Sequence, residues 1–72
     1  MTEIRAEMDA TVWQVLAASG QTVASGDELV ILESMKMEIP VVAPADGTVG
    51  EVHVHEGDTV KQGDVLVTFS VP

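Results

Sequence analysis

"AEMDATVWQVLAASGQTVASGDELV", Ala6 to Val30, aligns without a gap on "APADGTVGEVHVHEGDTVKQGDVLV", Ala43 to Val67. The offset is 37 residues, and 12 of the 25 aligned positions are identical, among them Gly20 with Gly57, Gly26 with Gly63 and Asp27 with Asp64. Two copies are too few for a stacked solenoid, in which neighbouring repeats bury one continuous core. They suit two interlocking halves related by a pseudo-twofold axis.

Each half has a β pattern. Valine, isoleucine and threonine dominate, and turn signals recur at short intervals. "ASGQT" and "HEGDT" mark one turn per half; "ASGD" and "KQGD" mark a second. No stretch holds a helical period. Strands are predicted near 2–7, 11–17, 21–23, 28–33, 37–42, 48–54, 58–60 and 65–70. Eight short strands in two halves predict an all-β flattened barrel or sandwich, an arrangement that protects the edges of so small a sheet. The predicted core is Ile4, Val12, Val15, Val23, Leu29, Ile31, Val41, Val49, Val52, Val60, Leu66 and Val67.

The remaining composition narrows the function classes. At 72 residues the chain reads as one domain, 1–72, near the lower limit for an unaided core. It has no cysteine, which excludes disulfides, thiolate metal sites and cysteine nucleophiles. No basic-then-apolar leader opens it, and no apolar run approaches the ~18 residues of a membrane span. A soluble, cytoplasmic monomer that binds neither nucleic acid nor membrane is expected. The formal charge of −9 fits that expectation, because phosphate backbones and anionic lipids demand clustered Lys and Arg.

Between the repeats lies "ELVILESMKMEIPVVA". Folded about the Met35–Lys36 bond, it sets Ser34 opposite Met37, Glu33 opposite Glu38 and Leu32 opposite Ile39. Met35 and Lys36 then form a two-residue hairpin loop. Such loops favour Asn-Gly or Gly-X because their backbones need φ > 0. The like-charged pair Glu33 and Glu38 across the strands is unfavourable as well. Local preferences are broken where function requires it. Lys36 is one of only three cationic side chains, with Arg5 and Lys61. A solvent-exposed hairpin lysine is ordinary, but here it sits on the pseudo-twofold axis between two large apolar neighbours. Met37 could alternatively fold back into the core.

"ESMKMEIP", with a repeat half on either side, resembles the biotinyl-domain family, the biotin carboxyl carrier modules of biotin-dependent carboxylases. The resemblance covers essentially the whole chain. It implies a barrel-sandwich hybrid of two four-stranded antiparallel sheets. It also implies that Lys36 carries covalent biotin in amide linkage and that Met35 and Met37 serve recognition, with Glu33 and Glu38 as hairpin flanks. Its implied partners are a biotin protein ligase and the biotin carboxylase and carboxyltransferase components. The protein is then a cofactor carrier, not an enzyme, with no catalytic residue and no resident metal.

Two departures from the family pattern matter. The gapless repeat leaves no room for the protruding "thumb" of some members, which is consistent with a small stand-alone member. Asp9-Ala10 stands where Pro-Gly is common, although the second half keeps Asp46-Gly47, so a turn needing φ > 0 would be strained at Ala10. The alternatives are a lipoyl carrier, disfavoured by Met-Lys-Met, and an unmodified adaptor β-domain. Weaker signals carry less. "EVHVHE" places Glu51, His53 and His55 on one strand face, where a shared zinc ion lacks further ligands. Trp13 aligns with Gly50 and has no role that the pseudo-symmetry requires.

Overall fold

The computed structural model describes residues 2–72. Its strands in chain order are β1 (Thr2–Arg5), β2 (Ala10–Val15), β3 (Thr22–Val23), β4 (Glu28–Ser34), β5 (Met37–Val42), β6 (Gly47–Val52), β7 (Thr59–Val60) and β8 (Val65–Ser70). No helix occurs among the described residues. The strands form two four-stranded antiparallel sheets, one ordered β1-β8-β6-β3 and the other β5-β4-β2-β7. The two are not joined into a closed barrel, so the fold is a flattened sandwich, with overall extents of 35 × 17 × 17 Å.

The offset of 37 governs the strand pairing residue by residue. Thr2 pairs with Phe69 as Ile39 pairs with Leu32, and Ile4 with Val67 as Val41 with Val30. Ala10 pairs with Val60 as Gly47 does with Val23. The turns obey the same rule. Gly26 N–H donates to the Ala43 carbonyl at 2.9 Å, and Gly63 N–H to the Ala6 carbonyl at 2.8 Å. Both glycines need the left-handed backbone, at φ of 90° and 94°, which costs glycine nothing sterically. Four of the six strand pairs, β1·β8, β2·β7, β3·β6 and β4·β5, join one half to the other. The halves are therefore interlocked, not stacked.

The core lies between the sheets. Phe69, Leu29, Leu32, Leu66, Val12, Val30, Val49 and Val67 are its largest fully buried side chains. Of the predicted core, Val12, Val23, Leu29, Val49, Val60, Leu66 and Val67 are buried, while Ile4, Val15, Val41 and Val52 pack against it from the margin. Ile31 is a correction. A bulge between Glu28 and Val30 lets Leu29 and Val30 both point inward, so the alternation restarts one residue later. Leu32 then faces the core and Ile31 faces outward, because a one-residue slip exchanges the two faces. Simple alternation from Leu29 misses this.

Ala10 is a second correction. Neither Ala10 nor Gly47 has a positive φ; each opens a strand. Glycine is needed at 47 for space, since a Cβ there would lie 2.6 Å from the Phe69 ring and 2.3 Å from the Ser70 carbonyl oxygen. The symmetry-related partner of Phe69 is the smaller Leu32, which leaves room for the methyl of Ala10. The aspartates before them are kept for another reason. Asp46 Oδ1 accepts from Ser25 N–H and Asp9 Oδ1 from Gln62 N–H, both at 2.8 Å, so each carboxylate caps a turn of the opposite half.

Candidate functional site

The β4–β5 hairpin has the register predicted from sequence: Ser34 opposite Met37, Glu33 opposite Glu38 and Leu32 opposite Ile39. Its closure point is set from within. Leu32 and Val30 are fully buried and Ile39 and Val41 pack on the core, so the pairing cannot slide without expelling all four. Two residues remain to span the strands. Met35 has φ 52° and Lys36 has φ 63°, the only positive values at non-glycine residues among those described. Each left-handed L-residue costs about 1–2 kcal/mol. Buried side chains in the strands thus hold two unsuitable residues in a tight turn.

The turn places these side chains in solvent. Met35 is 89% exposed and Met37 60%, so Met37 does not fold back into the core. Lys36, Glu33 and Glu38 are exposed, and Glu33 faces Glu38 across the strands. The two ion pairs among the described residues, Arg5 with Glu3 and His55 with Asp58, leave Lys36 out. Its ammonium group is free to meet a partner. Lys61 differs: its own φ is not positive, the left-handed residue of its turn being Gly63, and its N–H donates to Asp64 Oδ2 at 2.9 Å. The chain's two lysines therefore stand on different backbones.

The structure brings Met35, Lys36, Met37, Glu33 and Glu38 together at one tip. Leu32 and Ile39 belong to the site as well, since their burial decides where the loop closes. The alternation across "LESMKMEI" was the signal for that role. The Glu51–His53–His55 arrangement is not a strand face: β6 stops at Val52, and both histidines are exposed. Among the described residues no group of three His, Cys, Asp or Glu is placed to hold a metal ion.

By offset, β5 corresponds to β1 and β4 to β8, so the hairpin tip is the counterpart of the open end where the chain starts and stops. The pseudo-twofold axis thus exchanges the tip with the termini, which lie at the opposite end of the sandwich, and Lys36 is off the axis, not on it as the repeat alone predicts. Among the described residues nothing else covers the tip, where Met35 is almost fully exposed.

Comparison with known proteins agrees with this geometry. The chain is 54% identical over 41 residues to the biotinylated protein TB7.3 homolog of Mycobacterium leprae, a stretch that covers 57% of this chain and 58% of that protein. The alignment thus spans little more than half of that relative. A solved single-chain, multi-domain long-chain acyl-CoA carboxylase superposes with a TM-score of 0.91 at 36% identity, over 96% of this chain and 7% of that one. The lipoyl domain of the 2-oxoglutarate dehydrogenase complex from Azotobacter vinelandii superposes at 0.77 and 33% identity, over 88% of this chain and 80% of that one. The sequence model of the family described as "Biotin-requiring enzyme" matches residues 2–69, nearly the whole described chain, and the protein belongs to this biotin/lipoyl attachment family.

Proposed function

We propose that this chain is a single biotinyl domain acting as a biotin carrier, acylated on Lys36 and delivering the tethered ring between the active sites of a biotin-dependent carboxylase. The observation that carries the reading is the loop itself: a lysine held at φ 63° between exposed methionines, at the end of the molecule opposite its termini. The resemblance to a biotinylated protein and to an acyl-CoA carboxylase supports the choice of cofactor.

Lys36 is the nucleophile and the attachment point. An ammonium group has no lone pair to attack with until it gives up a proton. No group of the tip is placed to withdraw its proton, so the activation belongs to the partner. The amine attacks the carbonyl of a biotinyl ester activated by the ligase. A C–N amide bond forms, the acyl–oxygen bond breaks, the activated group leaves with its electron pair, and the amine proton is lost to a base of the ligase. The formal charge passes from −9 to −10. The chain itself is a substrate of this reaction and afterwards a carrier, not an enzyme. Met35 and Met37 offer adaptable apolar contacts to successive partners. The tether raises the local concentration of the ring at each active site. A cytoplasmic monomer is the state in which we expect it to work.

The likeness to a lipoyl domain supports a second reading, a lipoyl carrier, on the same lysine. Incubating the apo-protein with biotin, ATP and a biotin ligase, and in parallel with lipoate and a lipoyl ligase, separates the two by peptide mass. One biotin on Lys36 and none on Lys61 is expected. Lipoyl transfer alone, or biotin on Lys61, would overturn the assignment.

A further inference from the structure

The pseudo-twofold axis supplies an internal control, because it presents the same backbone twice. On the outer face of β1-β8-β6, and at the residue directly after β6, the side chains at five corresponding positions are Glu3, Thr68, Gly50, His53 and Arg5. On the outer face of β5-β4-β2, and directly after β2, the same five positions hold Pro40, Ile31, Trp13, Leu16 and Val42. One face is polar and the other apolar. The first is self-satisfied: Arg5 pairs with Glu3 and donates to the Gly63 carbonyl at 2.7 Å, and Thr68 Oγ1 accepts from Glu51 N–H at 2.8 Å. The fold plainly works with polar residues at these positions.

Three of these apolar residues are direct neighbours. Pro40 pairs directly with Ile31, and a bulge in β2 sets Trp13 and Gln14 together opposite Ile31. Trp13 is 45% exposed, Leu16 44% and Val42 42%. Of the seven large exposed hydrophobics, Trp13, Met37 and Val42 lie on strands of this sheet, Leu16 directly follows β2 and Met35 is in the β4–β5 turn. Isolated apolar side chains on a surface need no explanation, but a contiguous patch marks a contact surface. The outward edge of β5 also carries Pro40, which lacks the N–H that an added strand would need, so the contact uses the face and not the edge.

We infer that this outer face of β5-β4-β2 is the docking surface for the enzyme that acylates Lys36, through an apolar socket bordered by basic side chains. The inference rests on Lys36 being the attachment site. Two observations choose this occupant. The patch lies on the sheet whose β4–β5 hairpin carries Lys36, and a bare lysine amine ends one side chain from the backbone. An enzyme that acylates it must lay its surface against the hairpin, whereas one acting on the tethered ring stands off by the length of the arm. The border is acidic: Glu28, Glu33 and Glu38 flank the apolar row, with Lys36 the one cation between residues 28 and 42. That charge selects a basic rim on the partner. An indole at the centre of such a patch is the kind of side chain that dominates binding energy.

The test replaces apolar residues by their own symmetry mates, which the fold already accommodates. Ile31→Thr, Trp13→Gly and the double variant are prepared as apo-protein, and cooperative thermal unfolding is verified for each. Initial rates of biotin transfer by a biotin ligase, followed by intact mass, then give kcat and KM separately. Loss of Trp13 should raise KM about tenfold or more, with kcat changed by no more than about twofold, as for an interaction made equally in ground and transition states. Thr48→Ala, on the polar face, should leave both unchanged. As an independent measure, Lys36→Arg protein should competitively inhibit labelling of the wild type, and Lys36→Arg with Ile31→Thr should inhibit less. Unchanged ligase kinetics with Lys36 still labelled would overturn the docking face and spare the carrier reading. Slowed carboxylation of the holo variants alone would give the face to the carboxylase and overturn the proposal, as would a wild-type dimer by sedimentation that Trp13→Gly disperses. A wild-type chain that the ligase leaves unlabelled would remove the carrier reading and this one with it.

Discussion

The two halves share one backbone register and solve the same packing problem differently. In the second half Phe69 fills the space over Gly47; in the first, Leu32 and Ala10 occupy the corresponding positions. A larger ring with no Cβ beneath it has been exchanged for a smaller branched chain above a methyl. The comparison teaches that the volume summed over the pair is constrained, not either residue alone, as expected of an interior packed to crystal density. A second contrast lies at the ends. The β4–β5 pair is closed by Met35 and Lys36, while its counterpart β8–β1 is left open as the chain termini. Strain is accepted at the closed end only.

The largest expected effect breaks the comparison outright. Residues 1–36 and 37–72, prepared separately, should show no cooperative thermal transition, because each fragment keeps only one of the six strand pairs. Mixing the two should restore one if the interlocking is as described. Circular dichroism melts at low concentration check both statements.

Next in size is Gly47→Ala, which should destabilise by about 3 kcal/mol or more, since both the Phe69 ring and a backbone carbonyl stand in the way of the new Cβ. The reverse change, Ala10→Gly, should cost only about 0.5–1 kcal/mol. Denaturant titration of the pair would measure the asymmetry. A cost at Gly47 no larger than that at Ala10 would refute the steric account.

A transplant sharpens the same point. Leu32→Phe should destabilise by about 1–3 kcal/mol through overpacking. Adding Ala10→Gly, and so copying the second half's solution, should return part of that loss. The double-mutant coupling should be favourable by about 0.5–3 kcal/mol, and additive losses would show that the two sites do not touch.

The smallest effect concerns the tip. Lys36→Gly should stabilise the fold by about 1 kcal/mol by relieving the left-handed lysine, while abolishing biotin transfer. Lys36→Arg should leave stability within about 0.5 kcal/mol of the wild type and also abolish transfer, because the guanidinium stays protonated. A stability optimum that destroys modification is what a strained functional turn predicts. Thermal melts read beside labelling assays decide it.

Much of this was legible in the residues. The 37-residue repeat implied the interlocked halves, and folding "ESMKMEIP" about its centre placed Lys36 on a two-residue loop with the observed register. These features are local or pairwise, carried by spacing, alternation and turn chemistry, so a linear reading reaches them. The bulges were not legible. Which face Ile31 takes depends on one extra residue between Glu28 and Val30, and no propensity marks it. Nor could the reason for Gly47 be read, since the atom that excludes a side chain there belongs to Phe69, 22 positions away. The apolar character of one outer face also required the third dimension. Trp13, Ile31, Pro40 and Val42 are scattered along the chain, and only the pairing of β2, β4 and β5 makes them neighbours. The sequence by itself determined the symmetry and the position of Lys36 in the hairpin loop, because both are written in the order of residues. Tertiary structure decided which side chains share a surface or compete for a space, because those are set by distance across the sheet and between the layers.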